Sequence, residues 1–318
     1  MKLALIGYGN VARALVRLLA GRRRQFPFTV TGIHTLRHGT ALDPGGLSAE
    51  PRFGPRAASI EEFLDAARAD VAVELTTLDP SSGEPASSHI RAAFARGMHV
   101  VTANKGPIAH AYAGLRELAV RAGLGFRFES AVMDGAPIFN LWRHTMPGVR
   151  VLGFAGALNS TSKVVVETME RGGSFEDGLA HARAMGITEA GGAFDVDGWD
   201  SAAKTAALAN VLLDARTTPQ QVSTRGIARL TPERIEEINS QGKTVRLISR
   251  ARRTRSGVSL RVRAEVLDRT DILATPHGTS NILLFHTDLM GTFGTVSINP
   301  GVEQTAYGVF SDLVSLSM

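Results

Sequence analysis

The stretch KLALIGYGNVARALVRLLA, residues 2–20, decides the fold. Residues 2–6 are an apolar run of strand length, Gly7, Gly9 and Ala12 follow in GYGNVA, and the remainder carries apolar residues at helical spacing. The glycines permit a tight turn and close backbone approach. The helix that then opens near Asn10 and Val11 presents free N–H groups and a partial positive charge to an anion. Strand, glycine turn and helix in that order make a pyrophosphate site, and so point to a dinucleotide cofactor.

Working outward, residues 28–34 (FTVTGIH) read as a second strand. An Asp or Glu at its end would accept the 2′-OH of an NAD ribose, but the chain continues Thr35, Leu36, Arg37, His38. A guanidinium there can hold a 2′-phosphate, which favours NADP, with NAD still possible. The competing reading of Arg37 is a solvated loop residue. Residues 70–75 form a further strand that leads into a loop at Thr76 and Thr77, and a helix follows around residues 89–97. HVVTANKGPIA, residues 99–109, is a strand ending in Thr102, Ala103, Asn104 and Lys105, and another helix comes after it. Alternating strands and helices predict an α/β domain over residues 1–130. Its sheet should be a doubly wound, Rossmann-type parallel sheet with ligands at the carboxyl ends of the strands.

Past residue 129 the pattern changes. SAVMDGAPIFNLWRH (130–144) resembles a crossover helix, and residues from 151 onward read as strand, turn and helix. Residues 243–250 and 258–266 flank RARRTRSG, and in the second run Val258, Leu260, Val262, Ala264 and Val266 alternate with Ser259, Arg261, Arg263 and Glu265. A strict period of two predicts a half-buried antiparallel sheet, hence a second, α+β domain over residues 131–301. The last stretch, 302–318, reads as a helix.

EAGGAFDVDGWDSAAK, residues 189–204, gathers Glu189, Asp195, Asp197, Asp200 and Lys204 around a glycine-rich turn. It then enters a helix that is apolar on almost every side, which marks a buried helix. Asp200 and Lys204 are four apart and share a helix face. Only five of the 35 basic residues are lysines: Lys2, Lys105, Lys163, Lys204 and Lys243. In such a chain a lysine at a buried helix suggests a need for a group that can release its proton near neutral pH, which arginine cannot do. The alternative is a buried ion pair that only fixes the helix.

The 318 residues are 44% hydrophobic and 20% charged, an ordinary globular composition of two-domain length. The net charge is +5, but the arginines are scattered. The clusters at 22–24 and 250–255 read as a solvated helix end and a hairpin corner, without interleaved aromatics, so nucleic acid is not an expected partner. The absence of cysteine excludes disulfides, thiolate metal sites and Cys nucleophiles. No apolar run reaches membrane-spanning length and no signal segment opens the chain, so no membrane is expected and the cytoplasm is the expected location.

GYGNVA, VELT, GEPASSHIRAAFARGMHVVTANKGPIA, GALNSTS, GITEAGGAFDVDGWDSAAKTAALAN, RGIARLTPERI and TAYGVFSDL appear in the order and spacing of homoserine dehydrogenases, and the resemblance covers the whole chain. It implies an enzyme of amino-acid biosynthesis (threonine and methionine) that interconverts L-homoserine and L-aspartate 4-semialdehyde with NAD(P). It also implies a homodimer built through the second domain's sheet and a C-terminal helix returning to the nucleotide domain. Carried over, Lys204 and Lys105 transfer the proton at the carbinol oxygen, and Asp200 orients Lys204. Glu189, Asp195 and Thr161 bind substrate, and Gly7, Gly9, Asn10, Val11, Ala12, Arg37, Thr76, Thr77, Ala103 and Lys105 bind the cofactor.

Family members also hold a monovalent cation, Na⁺ or K⁺, in the segment matching Glu129 and Val132, but here Met133 and Asp134 replace small residues. Ser160 and Lys163 also depart from the family pattern. They are read either as solvent-facing changes or as an altered pocket floor, which would suit a related dehydrogenase acting on another amino-acid alcohol or aldehyde. A non-catalytic NADP-binding sensor is a further alternative, disfavoured because Glu189, Asp195, Asp200, Lys204 and Lys105 are all present. No regulatory amino-acid-binding or kinase segment is visible, so threonine feedback through such a module is not expected.

Overall fold

The computed structural model describes residues 1–79, 81–188 and 192–317 and divides into two compact units, residues 1–145 with 301–318 and residues 146–300. In the first, six strands run in the order β3-β2-β1-β4-β5-β6. They are β1 (Lys2–Ile6), β2 (Thr29–Thr35), β3 (Gly39–Leu42), β4 (Val71–Glu74), β5 (His99–Thr102) and β6 (Phe126–Arg127). β1 is central because Leu3 to Ile6 are apolar on both faces and are covered on both. Helices α1 (Asn10–Arg22), α2 (Ile60–Ala67), α3 (Ala86–Phe94), α4 (Lys105–His110) and α5 (Tyr112–Ala122) make the connections. The expected doubly wound sheet is parallel except at one edge, where β3 is antiparallel to β2, with Thr35 opposite Gly39. Residues 36–38 are too few for a crossover helix, so the chain folds straight back. The His38 N–H closes that turn on the Thr35 hydroxyl at 2.8 Å.

The segment expected as one crossover helix is broken. A 3₁₀ turn spans Glu129–Ala131, Asp134 and Gly135 take positive φ of 50° and 88°, and only Phe139–Thr145 is helical (α6). Gly135 passes so close to the C-terminal helix, Val302–Ser317, that a Cβ would lie 2.2 Å from the Gln304 carbonyl oxygen. That helix packs on α1, with Ala306, Val309, Phe310 and Leu313 in the same apolar core as Leu15, Leu19 and Phe28. Phe139 stacks edge-on to Phe128 at 4.9 Å. These contacts hold residues 131–145 in the first unit, so the division falls after Thr145 and not after residue 130.

The second unit is a six-stranded sheet, β12-β11-β7-β9-β10-β8, covered on one face by helices. Its strands are β7 (Val151–Ala157), β8 (Ser223–Arg225), β9 (Lys243–Thr254), β10 (Gly257–Asp268), β11 (Asn281–Thr287) and β12 (Thr292–Ser297). All pairings are antiparallel except β8 with β10. The β9–β10 hairpin is longer than the sequence suggests. Arg250 to Thr254 lie inside β9, and the corner is Arg255 and Ser256. The helices are α7 (Ser160–Glu170), α8 (Phe175–Ala184), α9 (Ala193–Val196), α10 (Trp199–Leu212) and α11 (Pro232–Ser240). As expected of a helix apolar all round, α10 buries Ser201 to Asn210 except Lys204.

Candidate functional site

The carboxyl end of β1 is shaped by Gly7. Its φ is +96°, its N–H donates to the His34 carbonyl at 2.8 Å, and a Cβ would meet the Leu75 carbonyl oxygen at 2.6 Å. Only glycine fits there. Gly9 caps α1 without a side-chain hydrogen bond, and a Cβ on it would meet nothing within 4 Å. The first-turn N–H groups of Asn10, Val11 and Ala12 therefore have no side-chain cap, in a turn with open space beside it. Ala12 is fully buried beneath. Arg37 is exposed on the β2–β3 turn, and β2 ends in His34 and Thr35 with no carboxylate. His34 is buried beside Thr40, its Nδ1 2.9 Å from the hydroxyl, and burial pushes its pKa down, helped by His89 and Arg56.

Sequence reading assigned no role to Glu74, whose side chain is 0% exposed at the end of β4. One carboxylate oxygen accepts the Thr76 N–H at 2.9 Å and the Thr76 hydroxyl, and the other accepts the Thr102 hydroxyl at 2.9 Å. Asn104 donates its N–H to Thr102 Oγ1 at 2.9 Å and its Nδ2 to the Thr76 carbonyl at 3.3 Å, while its Oδ1 accepts from Gly106 N at 2.9 Å. This network fixes the loop of Thr76 and Thr77 against the turn that carries Ala103 and Lys105. Lys105, partly exposed, is the first residue of α4. The signal in the sequence was a carboxylate closing an otherwise apolar strand.

Glu129 is also buried, but its carboxylate caps α6. Oε1 accepts from Ile138 N at 2.5 Å and Phe139 N at 2.9 Å, and Oε2 from Asn140 N at 2.5 Å. Its own N–H donates to Asp312 on the C-terminal helix at 2.7 Å, and Asn140 Nδ2 donates to the other Asp312 oxygen at 2.8 Å. Burial raises the pKa of both carboxyls. Three N–H donors thus hold the Glu129 carboxylate as the cap of α6, and Val132 beyond it is buried. Among the described residues no group of three or more His, Cys, Asp or Glu is arranged to hold a metal.

In the second unit the chemistry gathers at the β7–α7 turn. Asn159 caps α7, its Oδ1 accepting from Ser162 N at 2.7 Å, and its Nδ2 donates to Asp195 at 2.8 Å and Asp200 at 3.1 Å. Lys204 Nζ lies 3.1 Å from the same Asp200 oxygen and donates to the Leu158 carbonyl at 2.7 Å. Asp200 and Lys204 keep 12% and 17% of their side-chain surface exposed. The expected Asp195 and Asp200 thus meet on Asn159, a residue the sequence did not single out, and Lys204 joins them through Asp200. Thr161, in the same turn, is buried and donates to the Ile187 carbonyl at 3.1 Å. Glu189 lies outside the described residues. Lys163 overturns its solvent-facing reading: it is 2% exposed and donates to the Asn159 carbonyl at 3.1 Å and Asn281 Oδ1 at 3.2 Å. An amine held against a carboxylate, with carbonyl acceptors fixing its position, can exchange a proton with a bound hydroxyl.

The family model for the homoserine dehydrogenase NAD binding domain matches residues 7–129, and that for homoserine dehydrogenase matches residues 137–314. The NAD(+)-dependent homoserine dehydrogenase of Pseudomonas canavaninivorans is 35% identical, over 99% of this chain and 96% of that one. The homoserine dehydrogenase of Methanocaldococcus jannaschii is 32% identical, over 99% and 98%. The crystal structure of a putative homoserine dehydrogenase from Archaeoglobus fulgidus superposes with a TM-score of 0.88 at 28% identity, over 99% of both chains. The chain therefore belongs to the homoserine dehydrogenase family, oxidoreductases that work with a nicotinamide dinucleotide.

Proposed function

We propose that the protein interconverts L-homoserine and L-aspartate 4-semialdehyde, with NADP as the preferred cofactor and NAD as a poorer one. The observation that carries the reading is the linked set in which Asn159 holds Asp195 and Asp200 and Asp200 holds Lys204. The nicotinamide ring supplies the hydride acceptor. In the oxidative direction hydride leaves the carbinol carbon while the hydroxyl proton passes to the unprotonated Lys204 amine. Asp200 holds that amine and stabilises the ammonium that results. Lys105, in the first unit, takes the second proton-transfer role, and Asp195, Thr161 and Glu189 bind the amino-acid end of the substrate. The dinucleotide lies along Gly7, Gly9, Asn10, Val11 and Ala12, with Thr76, Thr77, Ala103 and Lys105 beside it and Arg37 on the 2′-phosphate.

A homodimer formed through the second unit's sheet is part of this reading, supported by Val296 in the edge strand β12 and Ile298 just after it, which are 52% and 76% exposed. Among the described residues no helix is long and apolar enough to cross a membrane, and a cytoplasmic location is part of the proposal. The test is homoserine-dependent reduction of NADP or NAD by the folded protein at alkaline pH, and none at all would sink the proposal. A related amino-acid alcohol is the second reading, favoured by the burial of Lys163 behind the Asn159 turn. It predicts that another alcohol outruns homoserine in a substrate panel.

A further inference from the structure

Glu74 is a carboxylate where a core side chain belongs. It closes β4, whose other residues, Val71, Ala72 and Val73, are apolar and buried, and it is itself 0% exposed. Burying a charge is costly unless its oxygens are satisfied. Here one oxygen takes the Thr76 N–H and hydroxyl, and the other takes the Thr102 hydroxyl, which in turn accepts the Asn104 N–H. Both oxygens accept, as those of an ionised carboxylate do. His89 on α3 brings an imidazole nitrogen within 3.9 Å, a cation only when protonated. A glutamine of the same shape could take the Thr76 N–H and hydroxyl without burying charge, so the charge itself points to function.

Its place in the sheet shows which function. β2, β1, β4 and β5 stand side by side in that order, and the three pairings between them are parallel, so their carboxyl ends share one edge. On the proposed reading the 2′-phosphate lies at Arg37 after β2 and the pyrophosphate at the glycine turn after β1. The dinucleotide therefore runs on toward β4 and β5, and its nicotinamide end comes to Thr76, Thr77 and Ala103. Those are the loops that Glu74 holds together. Glycines bring the same two connections into contact further on, since a Cβ on Gly83 would lie 2.7 Å from the Gly106 carbonyl oxygen. The carboxylate thus stands directly behind the backbone that would face the ring.

We infer that Glu74 sets the balance between the two redox forms of the cofactor: its buried negative charge favours the oxidised dinucleotide, whose nicotinamide ring is a cation, over the reduced one, whose ring is neutral. A charge with no solvent around it acts well beyond hydrogen-bond distance, because little screens it. The bonds from Thr76 and Thr102 hold it in place, so it does not have to reorganise when the ring changes charge. Lys105, at the start of α4, carries the opposite sign, but it is present with both forms of the cofactor and in every variant below. A comparison between variants therefore reads Glu74. The inference rests on the proposed placement of the dinucleotide and deepens it.

Binding alone tests it, without turnover. The folded protein is titrated calorimetrically with NADP⁺ and NADPH, and with NAD⁺ and NADH, at alkaline pH where an imidazole is neutral. Glu74→Gln should raise the ratio of the Kd for the oxidised form to the Kd for the reduced form about tenfold, by weakening the oxidised form alone. Thr102→Val removes one hydrogen bond of the network but leaves the charge, and should keep the wild-type ratio. His89→Lys leaves the carboxylate and sets a permanent cation beside it; it should raise the ratio in the same direction and serves if Glu74→Gln does not fold. A wild-type ratio in the folded Glu74→Gln and His89→Lys proteins overturns the inference. So does a ratio that Thr102→Val raises as far as Glu74→Gln does, since loop geometry would then be the cause. If neither dinucleotide binds the wild type, the placement of the cofactor falls, and the inference with it.

Discussion

Lys204 meets Asp200 at 3.1 Å and the Leu158 carbonyl at 2.7 Å, a setting that suits either a proton carrier or a structural clamp. Substitution separates the two. Lys204→Ala and Lys105→Ala should each lower kcat by roughly 100-fold or more, the usual scale for an acid–base group, with a smaller change in cofactor affinity. An unchanged kcat in Lys204→Ala would leave the pair a clamp. Arg37 is exposed after a strand that ends without a carboxylate, and on the proposed reading it governs cofactor choice. A charge-assisted hydrogen bond to phosphate contributes roughly 1.5–3 kcal/mol, about 10- to 150-fold in affinity. Titrating both dinucleotides should show NADP binding more tightly than NAD, and Arg37→Ala should remove most of that gap while leaving NAD nearly untouched. Equal affinities in the wild type would reduce Arg37 to a surface residue.

At the scale of elements, β9 turns one arginine inward. Arg246 is 1% exposed, donates to Thr244 Oγ1 at 2.7 Å and the Val245 carbonyl at 2.9 Å, and lies 3.7 Å from Glu167, which anchors it under α7. Burial lowers its pKa, opposed by Glu170 and Glu167. Removing one partner of a buried ion pair strands the other, so Arg246→Ala should cost about 3–5 kcal/mol by urea unfolding, while Arg246→Met, which keeps the volume, should cost clearly less. The turn joining β2 to β3 gives a pH signature through His34. Its folded pKa lies below the unfolded value near 6.5, so the unfolded chain binds more protons as pH falls through 6.5, and stability is lost on that side. His34→Gln should flatten the decline in Tm between about pH 7.5 and 5.5. A variant whose Tm falls as steeply as the wild type would exclude His34 as its source.

For the whole molecule, the first unit is completed by the far end of the chain. Phe310 of the C-terminal helix meets Phe26 at 5.2 Å and Phe28 at 6.3 Å, inside the core that backs α1. Phe310→Ala should therefore destabilise the chain by about 3–5 kcal/mol, although it is far in sequence from the glycine turn. Hydrogen exchange should report the loss at β1 and α1, with little change in β7 and β9. Equal loss in both units would show that they unfold together.

Local periodicity made part of this readable from residues alone. Gly7 was fixed by a turn only glycine can make, β10 by a period of two that buries Leu260 and Val262 although Val266 ends 46% exposed, and α10 by apolar residues on every side, because each pattern is complete within a few residues. Asp200 and Lys204 were readable for the same reason, lying one turn apart on one helix. Tertiary structure alone decided the rest. Asn159 became the hub by meeting Asp200 across 41 residues, and Lys163 was buried by Asn281 across 118. Glu129 became a helix cap tied to Asp312 across 183 residues. Those roles depend on which distant groups the packing brings within hydrogen-bond reach of a buried polar atom, and no pattern along the chain encodes that meeting.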